Sequence, residues 1–135
     1  MIVDASVVLR WFLNEPGADD AARVFQQQSA PDAPDFVLAE IANGLWSAVR
    51  QKRIGDDVAN RFVDGAPLLF DTLHPTSSLH GRAFRLALEL DHPIYDCLYL
   101  ALSDRERRPL LTADIRLQNK VAGTNWANLV SVLTP

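Results

Sequence analysis

The sequence predicts a single α/β domain in which helices cover a parallel sheet. Short apolar runs alternate along the 135 residues with longer segments whose apolar residues recur at helical spacing. Such alternation is typical of parallel strands joined by right-handed helical crossovers. The one proline-rich stretch, residues 29–35, is too short to be an interdomain linker. We therefore expect residues 1–135 to form one domain, which is the commonest arrangement for a chain of this length.

The first half of the chain is predicted to contain two strands and four helices. The run MIVDA is short and apolar, ends near Asp4, and leads directly into a helix that Pro16 and Gly17 terminate. Acidic residues open the second helix, and Asp56 is predicted to cap the fourth. The predicted elements are a strand over 1–5, a helix over 6–14, a helix over 18–29, a strand over 32–36, a helix over 36–53 and a helix over 56–65.

The second half is predicted to contain three strands and three helices. The run PLLFDTLH is rich in large apolar residues and bounded by prolines, which is typical of a strand buried on both faces. Thr76 or Ser77 is expected to cap the next helix, and Pro93 begins another with Asp96 in its first turn. The predicted elements are a strand over 67–74, a helix over 77–91, a helix over 94–107, a strand over 109–113, a helix over 115–121 and a strand over 129–133.

Four acidic residues lie where apolar strands end or helices begin. Asp4 and Asp114 end predicted strands, and Glu40 and Asp96 belong to helices that start at the same edge of the sheet. In open α/β sheets, ligands bind beyond the carboxyl ends of the strands, where the strand order reverses. With five strands in the order 3-2-1-4-5, Asp4 and Asp114 flank that point. We therefore expect the four carboxylates to converge.

Converging carboxylates beside apolar sequence indicate a bound cation, because a buried charge is costly without a positive partner. Mg²⁺ and Mn²⁺ prefer oxygen ligands, and Mg²⁺ commonly keeps several waters for chemistry on phosphates. The pattern therefore predicts metal-assisted cleavage of phosphodiester bonds. Any one of these acids alone would indicate no more than a helix cap or a partner for the helix dipole.

The net charge of −4 is unusual for a protein that binds nucleic acid, since affinity for the backbone normally comes from Lys and Arg. A cation held by the four acids would invert the local field and remove this difficulty. Arg50, Lys52 and Arg53 cluster at one helix end, where they either stabilise the helix C-terminus or contact RNA phosphates. The same two interpretations apply to a second cluster, formed by Arg105, Arg107 and Arg108.

Other residues exclude several classes of protein. Cys97 is the only cysteine, so no internal disulfide is possible, and we expect it to be a small buried apolar residue. The three histidines, His74, His80 and His92, share no metal-ligand spacing, which argues against a zinc site. No run approaches the ~20 apolar residues of a membrane span, and the N-terminus lacks the basic region of a signal peptide. We expect a cytoplasmic protein that does not associate with membranes.

Four segments carry a resemblance to a known family: IVDASVVLRWFLNEP, LAEIANGLW, HPIYDCLYLALS and LLTADIRL. They resemble the conserved blocks of the PIN-domain proteins, and most closely those of the VapC ribonuclease toxins. The resemblance extends from Met1 to the C-terminus. It implies a three-layer α/β/α domain with a five-stranded parallel sheet, Mg²⁺- or Mn²⁺-dependent endoribonuclease activity, a homodimer, and inhibition by a VapB-like antitoxin.

The resemblance also implies roles for individual residues. By matching blocks, Asp4, Glu40, Asp96 and Asp114 fall on the acidic quartet of the family, and Ser6 and Thr112 fall on the small hydroxyl residues that accompany it. We expect Asp4, Asp96 and Asp114 to hold the metal, which activates water and neutralises phosphate charge. Glu40 ligates through water or acts as a general base, and the hydroxyls of Ser6 and Thr112 hydrogen-bond the carboxylates.

Two other chemistries fit the sequence poorly. A phosphatase that forms an aspartyl-phosphate normally has a second Asp two places after the nucleophile, where this chain has Ser6. A receiver domain would use Asp71 as its phosphorylated residue, but it also needs an acidic pair near the first strand and a lysine after the fifth. The serious alternative is a catalytically silent PIN-like module that binds a metal or a protein.

The aromatic residues Trp11, Phe12 and Trp46 provide more aromatic surface than a small core needs. Aromatic residues are enriched where partners bury them. We expect at least one of the three to lie at a contact with a second copy or with the antitoxin, the alternative being that they pack in the core.

Overall fold

In the computed structural model, which describes all 135 residues, the strands are only two or three residues long. Three of them form a parallel sheet in the order β1-β4-β5, and the other two form a parallel pair, β2-β3. The bounds are β1 Ile2–Val3, β2 Ala33–Pro34, β3 Leu73–His74, β4 Leu110–Thr112 and β5 Val130–Val132.

The sheet and the pair are joined at a single position, where Ile2 forms a parallel bridge with Asp32. The amide of Val3 donates to the carbonyl of Asp32 at 3.1 Å, and the amide of Asp32 donates to the carbonyl of Met1 at 3.0 Å. The strand neighbours therefore agree with the order 3-2-1-4-5. The predicted single five-stranded sheet is not confirmed, because only three strands belong to the main sheet.

Seven α-helices connect the strands, and each was predicted within a few residues of its observed bounds. Short 3₁₀ turns lie at Ala66–Leu69, Thr76–Ser78 and Ala127–Leu129. None of the helices is both long and apolar enough to cross a bilayer. The helices are α1 Ala5–Phe12, α2 Ala18–Phe25, α3 Val37–Arg50, α4 Asp56–Gly65, α5 His80–Leu90, α6 Ile94–Glu106 and α7 Ile115–Val121.

Apolar side chains from both faces of the sheet pack against helices. Ile2 and Leu110 point into the larger core, which includes α3, α5 and α6, whereas Val3 and Leu111 contact a smaller cluster formed mainly by α1 and α2. This division follows from the alternation of side chains along a strand. The outcome is the α/β architecture that the sequence predicts, with helices on both sides.

Helix α6 is the most deeply buried element. Residues 97–103 are all buried, so Cys97 is a core residue as predicted. A helix that is apolar on every side belongs in the interior. The first turn of α6 reaches the surface instead, and this places Asp96 at the edge of the core.

The segment over 67–74 differs from the prediction of one continuous buried strand. Its first part forms a 3₁₀ turn with Pro67 at the start, and Leu68 is 87% exposed. The restricted φ angle of proline favours a turn at this position. The prediction of a hydroxyl cap on α5 is also wrong, because the Thr76 hydroxyl donates to Asp35 Oδ1 at 2.6 Å instead.

Candidate active site

The four predicted acids line one cleft of about 260 Å³. Asp4 directly follows β1 and accepts a hydrogen bond from the amide of Ser6 at 3.0 Å, so it caps α1. Asp114 caps α7 in the same way after β4. Glu40 and Asp96 lie in the first turns of α3 and α6. Helix N-termini favour negative charge, which explains why these positions tolerate carboxylates.

Asp4 is the most buried of the four acids, with 7% of its surface exposed. Burial raises its pKa to about 6, and the charge of Asp96 acts in the same direction. The hydroxyls of Ser6 and Thr112 oppose this shift, because hydrogen bonds to a carboxylate favour its ionised form. The ionised form of such a buried carboxylate is stabilised when a cation binds beside it.

Ser6, in the first turn of α1, contacts Thr112, the last residue of β4. Their hydroxyl oxygens are 3.3 Å apart, and the Ser6 hydroxyl also donates to Asp4. The Ser6 oxygen accepts from the amide of Ala113 at 2.8 Å, and the Thr112 oxygen accepts from the amide of Asp114 at 3.0 Å. These bonds hold the backbone around Asp4 and Asp114 in one arrangement.

Glu40 is positioned by Tyr99, whose buried hydroxyl donates to Glu40 Oε1 at 2.5 Å. Burial raises the pKa of Glu40, and the charges of Asp4 and Asp96 add to the rise, whereas the Tyr99 hydrogen bond opposes it. Asp4, Glu40 and Asp96 therefore form a group of mutually repelling carboxylates.

Asp96 and Asp114 each have a basic side chain as a partner, an imidazole for Asp96 and a guanidinium for Asp114. Asp96 Oδ2 lies 2.7 Å from Nε2 of His92, whose side chain is 7% exposed. Asp114 accepts hydrogen bonds from the guanidinium of Arg116. The Nε atom donates to Oδ2 at 2.7 Å, and Nη2 donates to the same oxygen. Hydrogen bonding by Arg116 lowers the pKa of Asp114.

The donor set suits a hard cation, because carboxylate and hydroxyl oxygens are the ligands that Mg²⁺ and Mn²⁺ prefer. Mutual repulsion among Asp4, Glu40 and Asp96 is a second reason to expect positive charge there. No three side chains of the His, Cys, Asp and Glu types are gathered in a ligand arrangement, however, since Asp96 and Asp114 turn toward other partners. Metal binding by Asp4, Asp96 and Asp114 thus requires an exchange of partners.

Several cleft residues were not identified from the sequence as functional. A larger cavity of about 750 Å³ shares Glu40 and Asp96 with the carboxylate cleft, and its wall includes His92 and two cations, Arg116 and Lys120. The spacing of His92 and Asp96, four residues apart, was a detectable signal, as was the position of Arg116 two residues after Asp114.

The predicted RNA-binding cluster lies away from the cleft. Arg50, at the end of α3, is about 15 Å along the helix axis from Glu40, given 1.5 Å per residue. Its guanidinium stacks 4.8 Å over the ring of Trp46, and Arg53 pairs with Glu15 at 3.2 Å. None of Arg50, Lys52 and Arg53 lines the carboxylate cleft or the larger cavity.

The second arginine cluster, at the end of α6, is engaged in ion pairs. Arg108 contacts the buried carboxylate of Asp32 at 2.6 Å, and His74 contacts the same oxygen at 2.8 Å. Arg107 pairs with Asp104 at 3.2 Å. These contacts agree with the structural interpretation of the cluster.

The sequence is similar to those of known ribonucleases and matches one protein family. The PIN domain family model matches residues 1–123. The chain is 30% identical to Ribonuclease VapC3 of Pyrobaculum aerophilum over 89% of its length and 93% of that protein. It is 31% identical to Ribonuclease VapC1 of Mycobacterium tuberculosis, covering 86% of each chain, and 31% identical to VapC ribonuclease Mb0985 of Mycobacterium bovis, covering 88% and 89%. The chain belongs to the PIN-domain family, and its predicted resemblance to VapC proteins is confirmed.

Proposed function

We propose that the protein is a VapC-type endoribonuclease that hydrolyses RNA phosphodiester bonds with Mg²⁺ or Mn²⁺ as cofactor. The observation that carries the proposal is the meeting of Asp4, Glu40, Asp96 and Asp114 in one cleft. Three of these acids lack a cationic arginine or lysine partner, and relatives that cover most of the chain are named as ribonucleases.

The cation is proposed to bind through Asp4, Asp96 and Asp114. When bound, it neutralises phosphate oxygens and lowers the pKa of water. Ser6 and Thr112 keep Asp4 in place for this purpose through the hydroxyl contacts described above. His92 acts as a positioning residue, because its hydrogen bond to Oδ2 sets the orientation of the Asp96 carboxylate.

Glu40 is proposed to accept the proton of the attacking water. A general base works best when its pKa approaches the working pH, and burial beside other carboxylates raises the pKa of Glu40 in that direction. Tyr99 holds the Oε1 atom, which leaves the second carboxylate oxygen for the proton. Arg116 and Lys120 line the larger cavity and are proposed to contact the RNA backbone.

The chain is also proposed to bind a VapB-like antitoxin and a second copy of itself. An apolar groove of about 340 Å³ between α1 and α4 offers a site for an antitoxin segment and is lined mainly by Trp11, Phe12, Phe62 and Leu69. Phe84 and Leu88 are exposed on one face of α5, and they are proposed to pack against the second copy.

A binding test separates the two proposed contacts. Light scattering should give the mass of a dimer at micromolar concentration, and Trp11→Ala should weaken antitoxin binding without changing that mass. A monomeric mass together with unchanged antitoxin binding would refute both assignments.

The proposed activity is tested by incubating the purified chain with RNA in Mg²⁺ or Mn²⁺ and in EDTA. Cleavage in the metal buffers that stops in EDTA supports the enzyme. Equal cleavage by wild type and folded Asp96→Asn would show that the cleft does not cleave the RNA and would contradict the proposal. No cleavage in any buffer, together with retained metal binding, would favour the catalytically silent module.

A further inference from the structure

Tyr95 and Phe36 form a stacked aromatic pair beside the carboxylate cleft. Their ring centroids are 5.6 Å apart and their planes differ by 19°. Phe36 is partly buried and packs against the core, whereas Tyr95 is 58% exposed. A single exposed aromatic residue needs no explanation. Here, however, one ring face is held against a neighbour while most of the side chain remains open to solvent.

The position of Tyr95 connects it to the candidate active site. It precedes Asp96 in the first turn of α6 and lines the cavity of about 750 Å³. It also lines a second cavity of about 310 Å³, together with Phe36, Glu40 and Asn43. The ring of Tyr95 therefore stands between two openings that both reach Glu40.

Phe36 connects the aromatic pair to Tyr99, the side chain that positions Glu40. The ring of Phe36 lies 6.4 Å from that of Tyr99 at an angle of 53°, and the Tyr99 hydroxyl donates to Glu40. Tyr95, Phe36 and Tyr99 thus form a continuous row of rings. A preorganised surface loses little conformational entropy when a ligand stacks on it.

Two cations on the wall of the larger cavity complement this surface. Arg116 and Lys120 are four residues apart on α7, so they lie on one face of the helix, and both line the cavity that Tyr95 borders. An exposed aromatic ring combined with nearby cations is the arrangement by which proteins bind single-stranded nucleic acid: bases stack on the ring and phosphates meet the cations.

We propose that Tyr95, supported by Phe36, stacks a nucleobase of the RNA next to the bond that is cleaved, while Arg116 and Lys120 contact the adjoining phosphates. This inference rests on the proposed ribonuclease function. The bases of single-stranded loops, bulges and ends have faces available for stacking on an aromatic ring, so the site is expected to take a base from such a region. Stacking tolerates any base, because every base has a π-face.

The test measures binding of a single-stranded RNA oligonucleotide containing 2-aminopurine, in EDTA so that metal-dependent cleavage does not occur. An abasic oligomer of the same length is the comparison ligand. Wild type should bind the base-containing RNA more tightly than the abasic oligomer and quench 2-aminopurine fluorescence. Tyr95→Ala should weaken RNA binding by about 10- to 100-fold and remove both effects.

Matched variants distinguish stacking from a general loss of structure. Tyr95→Phe and Tyr95→Trp should keep wild-type affinity, and Leu68→Ala, which removes an exposed apolar side chain away from both cavities, should have no effect on RNA binding. Thermal melting checks that each variant is folded. Loss of binding by Tyr95→Trp as well as Tyr95→Ala would contradict the stacking surface.

Three further outcomes would overturn the inference. Wild-type affinity and quenching in Tyr95→Ala would show that the ring does not contact RNA. A molecular mass of Tyr95→Ala that differs from that of wild type in light scattering would show that Tyr95 instead lies in a contact between copies of the chain. Equal affinity of wild type for RNA and the abasic oligomer would show that no base is bound. Cleavage by wild type in Mg²⁺ is measured separately, so failure of the nuclease proposal is recognised independently.

Discussion

Arg116 binds the carboxylate of Asp114 from two directions. Its backbone amide donates to Oδ1 at 2.9 Å, and its guanidinium Nε donates to Oδ2 at 2.7 Å. Asp114 consequently differs from the other three acids, because its charge is already compensated. Asp4, Glu40 and Asp96 are left as the repelling group, and a cation that binds Asp114 has to compete with Arg116.

Removing this competition should strengthen metal binding. Arg116→Ala frees the Asp114 carboxylate and deletes a positive charge at the cleft, so calorimetric titration of the metal-free chain should give a Mn²⁺ dissociation constant several-fold lower than that of wild type. RNA binding should weaken at the same time, because a phosphate-contacting cation is lost. Arg82→Ala, which removes an exposed arginine paired with Asp104, is the control. Weaker Mn²⁺ binding by Arg116→Ala would show that Asp114 does not serve the cation.

The metal-free fold should lose stability as pH rises through the titration of Asp4. The pKa of Asp4 is about 6 in the folded chain and 3.8 ordinarily, so the folded state binds the proton more tightly. The loss of folding stability caused by ionising Asp4 is absent below about pH 4, grows between about pH 4 and 6, and is complete above about pH 6. A shift of about two pKa units corresponds to roughly 3 kcal/mol as an upper bound.

Neutralising the charge should therefore stabilise the chain in EDTA. Asp4→Asn should have a free energy of unfolding about 1–3 kcal/mol above wild type at pH 7.5, and the difference should shrink toward pH 4. Added Mn²⁺ should stabilise wild type more than the variant. Chemical denaturation at both pH values measures these quantities. A difference that is the same at pH 4 and pH 7.5 would rule out titration of Asp4 as its source.

The Tyr99 hydroxyl should set the pH dependence of the reaction through Glu40. Tyr99→Phe removes a hydrogen bond that lowers the pKa of Glu40, so that pKa should rise further. The acidic limb of kcat/KM against pH should move to higher pH if Glu40 is the base, with little change in KM. Tyr95→Phe is the matched control, because the Tyr95 hydroxyl has no protein hydrogen-bond partner in the structure. An unchanged acidic limb would assign the proton to another group.

The buried carboxylate of Asp32, unlike that of Asp4, should stabilise the fold. Burial acts to raise the pKa of Asp32, but hydrogen bonds from His74 and Arg108 outweigh it and lower the pKa below 3.8. This contribution is present above about pH 4 and is lost as pH falls through the folded pKa. Asp32→Asn weakens the hydrogen bonds from His74 and Arg108 and should cost about 1.5–3 kcal/mol near neutral pH, measured by denaturation.

Asp20→Asn is the control for Asp32→Asn, because Asp20 belongs to an exposed ion pair with Arg23. Exposed pairs contribute about 1 kcal/mol or less. Equal losses of stability in the two variants would contradict the structural role of the buried cluster.

Much of the fold could be predicted from local patterns, and the failures have local causes. The helices were predictable because apolar residues recur at helical spacing in them, and an acidic first turn marks the start of α2, α3, α4 and α6. The strand over 67–74 was not, because Pro67 and the following leucines are compatible with a turn as well as with a buried strand. The exposure of Leu68 is decided by tertiary packing, which no local pattern reports.

The convergence of the four acids could be predicted from strand topology, whereas their partners could not. Arg116 and His92 are close in sequence to Asp114 and Asp96, but side-chain rotamers decide whether they make contact. Contact of Arg50 with RNA, one of the two interpretations of its cluster, stays a prediction, and the length of α3 carries this end of the helix away from Glu40. Tyr95 looked like an ordinary helical residue, because its stacking on Phe36 joins segments almost sixty residues apart.

If the acidic cleft performs the cleavage, the initial rate of RNA cleavage in Mn²⁺ depends on the carboxylates that line it. Asp4→Asn, Glu40→Gln and Asp96→Asn should each lower the rate by ~10²-fold or more, and Asp114→Asn should lower it as well. Asp71→Asn, which removes a carboxylate outside the cleft, should cleave like wild type. Wild-type rates in Asp4→Asn or Asp96→Asn, measured on folded protein, would show that the acidic cleft does not perform the cleavage.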